Sequence, residues 1–81
     1  SIIDPIKKYD SENNSDLLQT LISFVNNDGD FKKVSKELFQ HENTVRYRIL
    51  KIRSLLNLEK SHIEFFEKIS IGIKLHKIYN N

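Results

Sequence analysis

An 81-residue chain with 38% hydrophobic residues can fill one core and not two, and without a single cysteine it has no disulfide framework, thiolate nucleophile or thiolate ligand. One proline and two glycines punctuate too little for a multi-turn β fold, and no apolar run is long enough to cross a bilayer. With a formal net charge of only +2 and no signal peptide in evidence, the composition predicts one soluble, cytoplasmic, all-α domain over residues 1–81.

The first helix is predicted from Asp4, with Pro5 at the first helical position where its missing N–H does no harm, to about residues 9 or 10. DSENNS then reads as a polar connector, and Asn14 or Ser15 is the expected cap of the second helix. In that helix Leu17, Leu18, Leu21, Ile22 and Val25 recur at three and four residues and predict one buried side. NNDGD stops it, Gly29 being free to take positive φ.

Asp30 is the natural cap of the third helix. Phe31, Val34 and Leu38, with Phe39 as a further candidate, face inward there, while Lys32, Lys33 and Lys36 point outward. About three residues separate it from the fourth, in which Val45, Ile49, Ile52 and Leu56 share a narrow sector and Asn43, Tyr47, Lys51 and Ser54 lie opposite. The core is expected over residues 15–58, with outer helices at about 4–10 and 61–79.

Ser61-His62-Ile63-Glu64 is a capping box that starts the last helix. Its apolar residues change face along its length: Phe65, Phe66, Ile69 and Ile73 on one side, then Ile71, Leu75, Ile78 and Tyr79 nearly opposite. The pattern predicts a helix that begins half-solvated and ends surrounded. Candidates to cover the second stripe are Ile2, Ile3 and Ile6, a second copy of the chain, or a neighbouring domain, which makes Ile71, Leu75, Ile78 and Tyr79 the expected dimer or domain interface.

Charge divides unevenly among these elements, at −4 over residues 1–31, +5 over 32–53 and +1 over 54–81. A basic middle block is the footprint of a polyanion site as well as of an ordinary solvated face. Side-chain chemistry separates the two. Asn pairs with adenine, Arg with guanine, and Thr and Tyr with base edges or backbone, and Asn43, Thr44, Arg46, Tyr47 and Arg48 supply all of these within two turns of the fourth helix. Two apolar-striped helices joined by a tight turn, the second opening with such a set, predict a helix-turn-helix on double-stranded DNA.

The segment from Leu17 to Leu58 resembles the C-terminal DNA-binding domain of PucR/CdaR-type bacterial transcriptional regulators, a helix-turn-helix close to the Fis type. Leu18-Gln19-Thr20-Leu21, the Asp28-Gly29 turn, Ser35 ahead of Leu38, and His41-Glu42-Asn43-Thr44-Val45-Arg46-Tyr47-Arg48 stand in the places of that family's motifs. Residues 59–79 resemble its closing helix more loosely. The resemblance implies a reading head for a transcription regulator, carried on a longer, homodimeric protein whose upstream domain senses a small molecule. Three departures stand out: Glu42 for an arginine, Gln40 for an apolar turn residue, and Ser35 for an alanine. Glu42 repels DNA, reads cytosine N4, or pairs with Arg46 four residues on.

The expected DNA-binding residues are therefore His41, Asn43, Thr44, Arg46, Tyr47, Arg48 and Lys51, with Lys32, Lys33 and Lys36 on phosphates and His41 bonding either backbone or phosphate. His41, His62 and His76 have no zinc-site spacing, so no metal or other cofactor is expected. No Gly-rich phosphate loop and no nucleophile with a base and an orienting acid suggest an enzyme. The competing reading is a helical protein–protein interaction or dimerisation module that uses the two-faced last helix and makes no DNA contact.

Overall fold

The computed structural model describes residues 1–80, which form α1 (Ile3–Asn13), α2 (Leu17–Asn26), α3 (Phe31–Leu38), α4 (Glu42–Leu55) and α5 (His62–Tyr79), with no strand among the described residues. The all-α expectation holds. The second helix, LLQTLISFVN, is rich in large apolar residues and packs against all four others. Leu17, Leu21 and Phe24 are buried on it, with Leu18, Ile22 and Val25 half-buried at the edges. α2, α3 and α4 pack mutually as the trihelical unit, and α1 lies against α2, α4 and α5.

The start of the chain differs from the sequence reading. α1 begins at Ile3, and instead of stopping near Tyr9 it continues through Asn13 and ends where Asn14 takes a left-handed φ of 49°. The reason is Asp10. Its carboxylate accepts from the Ser15 hydroxyl at 2.6 Å and from the Leu17 and Leu18 amides at 2.8 and 2.9 Å. One side chain on α1 thus satisfies the start of α2, a task expected of Asn14 or Ser15, and Asp16, which holds the cap position, makes no side-chain cap bond.

Between α2 and α3 the chain turns through Asp28 and Gly29 at φ 53° and 77°. A Cβ on Gly29 would stand 3.0 Å from the Phe66 ring and 3.4 Å from that of Phe24. That close approach builds an aromatic cluster, with Phe24 ring centroids 5.4 Å from Phe31, 6.5 Å from Phe65 and 5.9 Å from Phe66. Asp30 caps α3 as expected, accepting from the Lys32 and Lys33 amides at 3.0 and 3.2 Å.

One inward assignment is overturned. Phe39 lies outside α3 in left-handed backbone and is 93% exposed, because the helix closes one residue earlier on the Ser35 carbonyl and swings the ring off the buried face. Within the described residues of this one chain the end of α5 is left uncovered, with Ile71, Leu75, Ile78 and Tyr79 all exposed, so a cover by the N-terminal isoleucines is not made and the other two candidates stay open. Ile3 and Ile6 are consumed by the core, and Ile2 packs at Gly72, where a Cβ would collide with its side chain. Phe65, Ile69 and Ile73 form the buried stripe of α5 as read from the sequence. Half of the capping box is made: Ser61 accepts from the Glu64 amide at 3.1 Å, while the Glu64 carboxylate pairs with Lys68 at 3.2 Å.

Candidate nucleic-acid interface

α4 begins at His41, whose Nδ1 accepts from the Asn43 amide at 3.0 Å. Of the two roles open to this ring, it takes the backbone one, which leaves the proton on Nε2 as a donor. Behind it the α3–α4 turn is tied from both sides, since the Gln40 amide donates to the Ser35 carbonyl at 3.1 Å and the Ser35 hydroxyl donates back to the Gln40 carbonyl. Ser35 therefore braces the turn.

Val45, Ile49 and Ile52 fix the rotation of α4 by burying completely or nearly so. Opposite them Asn43, Tyr47, Leu50 and Ser54, spaced by four, three and four residues, form one exposed ridge. The helix has 14 residues, about 21 Å of rise, and a helix of ordinary width fits the roughly 12 Å major groove of B-form DNA. Leu50, 63% exposed, belongs to this ridge although the sequence reading passed over it. An apolar side chain there suits a thymine methyl group.

Basic residues flank the ridge unequally. Arg46 and Arg48 are two positions apart, and their side chains diverge to opposite flanks. Arg46 lies 4.4 Å from the Phe31 ring centroid and pairs with Glu42 at 3.7 Å. Of the three roles open to Glu42, pairing is thus the one seen. The two side chains are 52% and 37% exposed, so solvent screens the pair and it opens at a cost of only about 0.2–1 kcal/mol. Arg48 is half-buried and donates from Nη1 to the Thr20 hydroxyl at 3.2 Å, joining α4 to α2. Thr44 and Lys51 are also half-buried, with the Lys51 ammonium 5.1 Å from the Tyr9 ring centroid. Lys32, Lys33 and Lys36 are exposed on α3, and none forms an ion pair among the described residues.

Arg53 stands apart from this set although it belongs to the same basic block. Only 7% exposed, it donates to the Leu58 and Glu59 carbonyls at 3.2 and 2.9 Å, meets His62 Nδ1 at 2.8 Å, and lies 5.1 Å from the Phe65 ring centroid. Its position beside Ile49 and Ile52 on the helix surface was the available signal. Among the described residues no three His, Cys, Asp or Glu side chains gather as a metal site, and no helix is long and apolar enough to cross a membrane.

The family profile described as the PucR C-terminal helix-turn-helix domain matches residues 17–75. Among curated proteins, the chain is 34% identical over 72 residues to the proline-responsive transcriptional activator PutR of Bacillus subtilis, covering 89% of this chain and 18% of that protein. It is 29% identical over 70 residues to the DNA-binding transcriptional activator AdeR of the same organism, covering 86% and 17%. An uncharacterized protein of Haemophilus influenzae is 33% identical over 75 residues, covering 93% and 19%. The chain therefore spans under a fifth of the length of these relatives. No solved structure matches it.

Proposed function

Since the chain belongs to the PucR C-terminal helix-turn-helix domain family, we propose that it reads specific sequences in double-stranded DNA as the reading head of a cytoplasmic transcription regulator. The observation that carries this is the free ridge of α4, with Asn43 and Tyr47 facing solvent directly opposite the buried Val45, Ile49 and Ile52. In this reading α4 enters the major groove. Asn43, Thr44, Tyr47 and Leu50 face base edges, while Arg46, Arg48, Lys51 and the His41 Nε2–H border the phosphates. α3 crosses the backbone with Lys32, Lys33 and Lys36 on phosphates, and no catalytic step is involved.

Dimerisation and effector sensing complete the reading. A single helix-turn-helix covers one half-site, and the exposed stripe of Ile71, Leu75, Ile78 and Tyr79 is where a second copy packs. Effector sensing belongs to a domain outside this chain, in keeping with the small share of its relatives that the chain spans. Selection from a random-duplex library, followed by titration of the winners at rising salt, tests the proposal. A phosphate-neutralising reader loses affinity steeply as salt rises, whereas an apolar interaction module barely responds. Failure to enrich any duplex would falsify the DNA reading and leave the interaction module in its place.

A further inference from the structure

Among the described residues, four besides glycine take positive φ: Asn14, Asp28, Asn57 and Phe39. Three are of the Asn/Asp type that tolerates left-handed backbone, and the fourth is a phenylalanine. Its φ is 54° at a helix-ending position that glycine ordinarily fills, and its ring is 93% exposed. The free domain gains nothing from such a residue, since the ring buries no core surface and the backbone is strained by its Cβ. A strained, solvated aromatic side chain points to a contact made only in a complex.

Its place identifies that contact. Phe39 sits three residues after exposed Lys36 and two before His41, the cap of the helix whose first turns carry Asn43 and Tyr47. The bonds between Ser35 and Gln40 fix the turn, so the backbone of Phe39 is held just ahead of α4 and its ring is free in solvent there. We propose that Phe39 is an affinity-determining residue whose ring packs on the apolar C–H surface of the duplex, a thymine C5-methyl or a deoxyribose face, at the edge of the groove that α4 enters. This rests on the DNA reading above and adds to it a contact that carries no charge.

Strain and contact make opposite demands, and that separates a binding role from a structural one. Phe39→Gly relieves the backbone, so its melting temperature should rise by about 4 °C. Its affinity for a duplex selected on the unaltered domain should fall about tenfold, with the slope of log affinity against log salt unchanged because no phosphate contact is lost. Phe39→Tyr keeps the ring and should keep the affinity. Uracil placed for each thymine in turn assigns the surface: one position that weakens binding to the unaltered domain but not to Phe39→Gly marks a methyl contact, and no such position marks the sugar. Unchanged affinity in Phe39→Gly, a shallower salt slope, or a lowered melting temperature each overturns the proposal. If the unaltered domain binds no duplex, the DNA reading falls first and takes this contact with it; if it binds and Phe39→Gly binds equally well, this contact alone falls.

Discussion

The Arg53 guanidinium lies 2.8 Å from His62 Nδ1, and through that contact the end of α4 holds the start of α5. The same guanidinium bonds the Leu58 and Glu59 carbonyls, so the connector between the two helices is anchored on one buried cation. Hydrogen bonds to a charged group are worth about 1.5–3 kcal/mol net, and Arg53→Leu strips them while leaving the connector carbonyls without their donor. We expect a loss of about 2–3 kcal/mol in urea unfolding, with DNA preference intact at temperatures where the variant is folded. A variant as stable as the parent shows that water replaces the guanidinium at no cost.

Asp10 plays the equivalent part at the other end of the fold. Its carboxylate receives both leading amides of α2 and the Ser15 hydroxyl. Asp10→Ala should cost about 1–2 kcal/mol in thermal unfolding, as loss of a helix cap does. Ser15→Ala removes one donor and spares both amide bonds, so it should cost less than half as much. Equal losses in the two variants would point to the hydroxyl as the element that matters.

These two residues mark the limits of reading the chain without coordinates. Where a side chain's partner is close in sequence, the local pattern suffices: Asp30 capping α3, Ser61 capping α5, and the apolar sector of α4 were all legible from spacing. Asp10 reaches seven and eight residues ahead, beyond any capping pattern, so local spacing gives no sign that α1 continues to Asn13. Arg53 is of the same residue type as its neighbours Arg46 and Arg48; its place beside Ile49 and Ile52 is the one local sign of burial, and the carbonyls that hold it come from the path of the connector. In the candidate site the ridge was legible because Val45, Ile49 and Ile52 set the rotation of α4. Leu50 and Phe39 were not, because pattern reading assigns apolar residues to the interior and has no means of marking one held in solvent.

The residues around the ridge divide by what they are expected to change. Lys32→Ala and Lys33→Ala each remove one candidate phosphate contact, and each should lower the slope of log affinity against log salt by about 0.9 without altering preference among duplexes. Asn43→Ala should do the reverse, keeping the slope and flattening preference at one base pair by about 1–3 kcal/mol. Arg46→Ala should weaken all duplexes alike. Arg48→Ala should do so too, and also lower the melting temperature by a degree or two through loss of the Thr20 bond. Fluorescence anisotropy against the selected duplex and its single-pair variants reads all five. A lysine variant that changes base preference, or an asparagine variant that does not, overturns the proposed orientation of α4.

The stripe on α5 separates assembly from folding. Because Ile71 is 60% and Leu75 48% exposed, Ile71→Asp and Leu75→Asp remove little from the folded monomer and should shift its stability by no more than about 0.5 kcal/mol. On a duplex carrying two half-sites, the second copy binds more tightly when its stripe meets the first, so the unaltered domain should pass directly to the doubly bound complex in an electrophoretic shift. Each aspartate variant, placing an unpaired carboxylate in that contact, should show the singly bound complex over a wide concentration range while binding one half-site as before. If both variants still fill the two half-sites in one step, the copies meet elsewhere on the fold, and the stripe is free for a different neighbour.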